Sequence, residues 1–226
     1  MRSSSTTKRS PAESKAIRDL EAVRKFVAPL APPVASFEAS IRSTPFRILV
    51  SVLLSARTQD PVTEKAAGRL FAEADTPGKM ARLTEAEIAR LIYPVGFFRT
   101  KARHILGICR ILSAGNGVPS TLEGLLELPG IGRKSANLVL ALAFARPAIA
   151  VDTHVFRISR RLGWAKGKTP VEVERELEAL FPRKSWADVN QVLVGFGQTI
   201  CRPLRPKCHA CALRKTCPSA IVTRNA

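Results

Sequence analysis

The chain has 226 residues, enough for one or two domains with their own cores. Its 36 Lys and Arg outnumber 18 Asp and Glu, a net charge of +18 that points to a polyanionic partner, nucleic acid first. The longest apolar run, Leu138 to Ala145, is too short to span a bilayer, and no basic amphipathic helix stands out, which argues against a membrane role.

The N-terminus, MRSSSTTKRSP, has no apolar core and is not a secretory signal. Residues 1–10 read as a disordered basic tail, with a short organellar transit peptide as the alternative. The expected location is the cytoplasm, at the nucleoid in a bacterial host. Ala12 to Val27 has helical spacing and stops before Pro29; Ala31-Pro32-Pro33 reads as a linker. Phe46 to Gln59 is strongly apolar, a helix buried on several sides. Pro61 opens the next, to about Ala72. Thr84 with Glu87 three residues on makes a capping box. Phe98 to Leu112 is helical and ends at Gly115-Asn116-Gly117. After the glycine-rich segment around residue 130, helices are expected over Val171–Leu180 and Trp186–Ile200. No period-2 strand pattern is present, so the fold class is all-α with short loops.

The chemistry begins at Leu128-Pro129-Gly130-Ile131-Gly132-Arg133-Lys134-Ser135-Ala136. A short helix, Thr121 to Glu127, leads in and is stopped by Pro129. The two glycines permit a tight turn, and a second helix starts near Arg133 and runs to about Ala145. Helix, glycine hairpin and helix present backbone N–H groups at a positive helix end, a phosphate site that grips a nucleic-acid backbone without reading bases. Gly130, Ile131, Gly132 and Arg133 are therefore candidate DNA contacts. Lys134 lies in the first turn of the second helix. The macrodipole and neighbouring Arg133 both disfavour its ammonium form, which makes a nucleophile able to form a Schiff base; a phosphate-binding lysine is the plainer reading. In Ala150-Val151-Asp152-Thr153-His154, Asp152 is placed to cap the following helix and stay ionised, as a plain cap or as an anion that stabilises a sugar cation.

Cys201, Cys208, Cys211 and Cys217 follow a C-x6-C-x2-C-x5-C spacing. One C-x2-C knuckle with two long arms suits a [4Fe–4S] cube better than the paired knuckles of a zinc ribbon, and zinc stands as the alternative. Arg202, Arg205, Lys207, Arg214 and Lys215 surround these cysteines and read as a phosphate-facing rim, with Arg205 and Lys207 the named contacts. His209 reads as an exposed loop residue. His154 reads as a structural hydrogen-bonder, Cys109 as a buried thiol, and Trp164 and Trp186 as core.

LPGIGRKSANLVL, then VDTHVFR with Asp152 eighteen residues after Lys134, then the four cysteines, together resemble the endonuclease III family. That is the iron–sulfur, bifunctional DNA glycosylase and abasic-site lyase of base excision repair. The resemblance runs from about Phe37 to Pro218 and takes in LIYPVGFFRTKA and Val192–Gln198. It implies a six-helix barrel over 37–146 and a cluster domain from 11–36 with 147–226. The active site is implied to lie in the cleft between them. It implies Lys134 as the nucleophile at C1′, Asp152 as the stabilising carboxylate, a [4Fe–4S] cofactor, and a monomer acting on duplex DNA with a damaged pyrimidine or abasic site. Phe97 falls at the family's wedge position, a role that competes with a core aromatic. Arg57 stands where many relatives have Gln, with Gln59 displaced by two, and it becomes the candidate plug for the helix gap or a phosphate contact. Monofunctional mismatch glycosylases, which lack the catalytic lysine, and non-catalytic damage-binding relatives are the competing classes; Lys134 argues against the first, and intact Lys134 and Asp152 against the second.

Overall fold

The protein is described here by a computed structural model that covers residues 10–41, 43–115 and 117–220. Those residues form helices α1 (Pro11–Val27), α2 (Pro33–Ile41), α3 (Pro45–Ser55), α4 (Asp60–Glu73), α5 (Pro77–Met80) and α6 (Glu85–Ile92). They continue as α7 (Phe98–Ala114), α8 (Leu122–Leu126), α9 (Arg133–Phe144), α10 (Thr153–Arg161), α11 (Pro170–Leu180) and α12 (Trp186–Thr199), with three short 3-10 turns and no strand among the described residues. Apart from Ser10, the basic tail lies outside the described residues, as does Asn116.

Local chemistry explains most boundaries. Ser10, Thr84 and Thr169 build complete capping boxes with Glu13, Glu87 and Glu172. The helix expected to reach Gln59 stops instead at Ser55. Arg57 takes φ +56°, a left-handed conformation that no helix continues. The expected linker at residues 31–33 is shorter than it reads: Pro33 opens α2, with the ring supplying the helical φ of a first-turn residue. The four-residue α5, capped by Thr76, was not anticipated.

The chain divides into two compact units. One is Ala31–Ala150; the other joins the chain up to Leu30 to the segment from Val151 onward. The first holds six helices of eight residues or more and two short ones, α5 and α8. Its centre is α3, where Ile48 to Leu54 are all buried, packed against α4, α7 and α9. An all-round apolar helix demands cover on every side, which is why its neighbours surround it. In the second unit α1, α10 and α11 pack with α12 or one another, and Arg24 pairs with Asp188 at 2.6 Å.

Candidate functional site

The glycine hairpin is anchored from below. Leu128 and Ile131 are buried, and the Ile131 N–H closes the turn on the Leu128 carbonyl at 3.2 Å. The Ile131 side chain is thus part of the core, and only its backbone is left for an outside contact. Gly130 has φ +75°, and a Cβ there would lie 2.2 Å from His104 Nδ1, so the turn itself requires glycine. Gly132 differs: its φ is −95° and a Cβ would meet nothing within 4 Å. Packing within the chain does not explain a glycine at this position, which is exposed and open to close approach from outside. Gly132 is also the N-cap of α9 and brings no side-chain cap to the first-turn N–H groups. Lys134 is half-buried in that first turn. One turn on, Asn137 Nδ2 donates to the Ile149 carbonyl at 3.0 Å and ties α9 to the segment that leads to residue 150.

Asp152 caps α10 as its type and position dictate: Oδ1 accepts from the His154 and Val155 N–H groups at 2.9 and 2.8 Å. Both cap bonds fall on one carboxylate oxygen, Oδ1. The same helix carries two arginines that hold the cysteine loop. Arg157 Nη2 donates to the Cys201 carbonyl at 2.9 Å and contacts His154 Nδ1 at 3.3 Å. Burial, ahead of its charged neighbours, lowers the Arg157 pKa. Arg161 donates to the carbonyls of Arg202 and Pro203 at 2.8 and 2.9 Å, and to Cys201 Sγ at 3.5 Å.

Cys201, Cys208, Cys211 and Cys217 line one cavity of about 70 Å³, walled by Leu162, Phe196 and Ile200. Among the described residues no group of three or more His, Cys, Asp or Glu side chains converges tightly enough for a single ion. Four thiols around a space of that size fit a multi-atom iron–sulfur core better than one zinc. Burial raises the Cys211 and Cys217 thiols, and repulsion from the other cysteines adds to it. A cationic core bound there would reverse that penalty. Around the cavity Arg202, Arg205, Lys207, Arg214 and Lys215 are exposed, as is His209.

A third cluster joins two loops. Arg57 is exposed, and its guanidinium stacks over the Phe97 ring at 4.9 Å. Phe97 is 59% exposed with φ +57°, so it is no core aromatic. Cys109 and Trp164 are buried as expected; Trp186 is half-buried and donates from Nε1 to the Phe181 carbonyl at 2.8 Å. Sequence reading missed Lys101, which is 5% exposed and donates to the Leu54 and Ala56 carbonyls at 2.8 and 2.6 Å and to Thr58 Oγ1 at 3.3 Å. Burial brings its pKa from 10.5 down to about 8. Its burial and its three acceptors leave that amine enclosed and fully engaged within the chain. The signal was available: Lys101, Ile105, Ile108 and Leu112 share one buried helical stripe.

The chain matches the model of the HhH-GPD superfamily of base excision DNA repair proteins over residues 50–183. It is 48% identical over 175 residues to endonuclease III of Thermotoga maritima, covering 76% of this chain and 82% of that one. It is 42% identical over 187 residues to endonuclease III-like protein 1 of Bos taurus, covering 80% of this chain and 61% of that one. Among solved structures it resembles a trapped endonuclease III–DNA covalent intermediate with a TM-score of 0.83 at 32% identity, covering 92% of this chain and 96% of that one. A thermostable thymine-DNA glycosylase, 24% identical with a TM-score of 0.69 over 88% of this chain and 97% of that one, shares the fold.

Proposed function

Because the chain belongs to the HhH-GPD superfamily and, within it, to the endonuclease III family, we propose that it excises oxidised pyrimidines from duplex DNA and then cleaves the strand as a bifunctional glycosylase and abasic-site lyase. Lys134 Nζ attacks C1′ of the flipped nucleotide, the N-glycosidic bond breaks, and the base leaves with a proton. Asp152 holds its negative charge where the sugar becomes cationic and assists the proton transfers that open the ring to an iminium. Loss of a C2′ proton expels the 3′ phosphate, and water later releases Lys134 from the product. Gly130, Gly132, Arg133 and the Ile131 backbone grip the DNA backbone; Arg205 and Lys207 add phosphate contacts. Phe97 opens the stack and Arg57 fills the gap opposite the orphan base.

Cys201, Cys208, Cys211 and Cys217 would hold a [4Fe–4S] cluster, which supplies a rigid cross-link for the basic rim and no redox step in excision. The protein works as a monomer on DNA, in the cytoplasm at the nucleoid if the host is bacterial. Among the described residues no helix is long and apolar enough to cross a membrane.

The observation that most supports this reading is a half-buried Lys134 in the first turn of a helix whose cap is a bare, exposed glycine. The test is incubation with duplex DNA carrying one oxidised pyrimidine, followed by borohydride. A stable protein–DNA adduct and a nicked strand are expected, with neither on the undamaged duplex. Base release without an adduct would favour a monofunctional glycosylase; binding without base release would favour a damage-binding protein.

A further inference from the structure

Lys101 of α7 and Thr58 form a fully hydrogen-bonded polar pair behind two loops that carry the exposed, left-handed residues Arg57 and Phe97. An ammonium has three donors, and Lys101 meets three acceptors: the Leu54 and Ala56 carbonyls and Thr58 Oγ1. A hydroxyl has one donor and two lone pairs, and Thr58 uses all of them. It donates to the Ala56 carbonyl at 3.4 Å and accepts from Lys101 and from the Gly96 N–H, the latter at 3.1 Å. The Leu54 and Ala56 carbonyls lie at the C-terminal end of α3, where a cation complements the helix dipole and the unpaired carbonyls.

The two loops touch so closely that a Cβ on Gly96 would lie 2.7 Å from the Arg57 carbonyl. Arg69 of α4 donates to the Leu91 and Tyr93 carbonyls and steadies the approach to the second loop. Within this frame Arg57 and Phe97 both take left-handed backbones, a conformation disfavoured for any residue with a Cβ. Two such residues, adjacent in space, stacked on one another and exposed, persist only where the surroundings dictate them.

We propose that Lys101 is a positioning and specificity-determining residue: with Thr58 and Gly96 it braces the two loops so that Arg57 and Phe97 reach the DNA as one preformed two-pronged finger. The proposal rests on the reading of Arg57 and Phe97 as the residues that fill and wedge the helix gap. Without the brace, Arg57 and Phe97 relax to ordinary backbone conformations. The cost of re-forming the finger then falls on every binding event, and the choice of opposite base, which depends on where the guanidinium points, is lost. Burial lowers the ammonium only to about 8, so at neutral pH all three donors are in place.

The test compares Arg57→Ala, Lys101→Met, Thr58→Val and Thr58→Ser on duplexes that carry the same lesion opposite each of the four bases. A 2-aminopurine beside the orphan base reports its unstacking. Arg57→Ala is expected to flatten the opposite-base preference and dim the 2-aminopurine signal. Thr58→Val and Lys101→Met are expected to do the same to within about twofold, and to add nothing in combination with Arg57→Ala, as members of one network do. Thr58→Ser restores the hydroxyl and is expected to restore both readouts. Should Lys101→Met fail to fold, the Thr58 pair carries the comparison. A flattened preference in Arg57→Ala with wild-type behaviour in Thr58→Val would overturn the brace and leave the finger standing. A wild-type preference in Arg57→Ala would overturn the finger, and the brace with it.

Discussion

At the scale of single residues, Asp152 has a structural duty that can be separated from the chemical one proposed for it. Its Oδ1 caps α10 through two backbone N–H groups, and an asparagine can make the same two bonds. Asp152→Asn should therefore keep its melting temperature and lose only the charge. Base excision from an oxidised-pyrimidine duplex is expected to fall by about a hundredfold or more, the usual scale for removing one preorganised electrostatic group. Cleavage of a ready-made abasic site should fall less, because no base has to be expelled. Single-turnover assays on the two substrates measure this, and equal losses on both would show that the carboxylate acts after base departure. His104 was invisible in the sequence because its role comes from a long-range contact: it occupies the space that a Cβ on Gly130 would need.

At the scale of elements, the glycine hairpin separates two demands that look alike in sequence. Gly130→Ala meets a positive φ and His104 at 2.2 Å, and should destabilise the protein by about 2 kcal/mol or more. Gly132→Ala meets nothing within 4 Å, and should melt like the wild type while binding both damaged and undamaged duplexes more weakly. Thermal melts with salt-controlled binding titrations distinguish the two; a Gly132→Ala protein that binds normally would remove the hairpin from the DNA contacts. Helices were legible where a cap and a period agreed, as at Thr84 with Glu87 or across Phe98 to Leu112. They were misread where a tertiary brace overrides local preference. At the end of α3 the Ala56 carbonyl is held by Lys101, forty-five residues further on, and no local window contains that contact. The convergence of four cysteines on one cavity was legible because their spacing is short-range. Arg157 and Arg161, which grip its loop from α10, read only as two more positive charges.

At the scale of the whole molecule, a net charge of +18 favours non-specific attraction to DNA, and the exposed Arg202, Arg205 and Lys207 beside the cysteine cavity form the part of it proposed as a phosphate-facing rim. The purified protein should be brown and hold four irons and four sulfides per chain. With the cluster intact, a thiol reagent at pH 8 should find no reactive cysteine: four are ligands, and Cys109 is buried with its thiol pushed up to about 12. Chelation of the iron should expose four thiols, and unfolding the fifth. A colourless protein with one zinc per chain, from iron-replete cells, would contradict the cluster assignment.

The central claim is that the amine of Lys134 becomes covalently bound to the sugar. The borohydride-trapped adduct, digested and mapped by mass spectrometry, tests it most directly. The account predicts one modified peptide, with the DNA-derived mass on Lys134, and no adduct from Lys134→Gln. A modified Lys101, a modified N-terminus, or undiminished trapping in Lys134→Gln would contradict it.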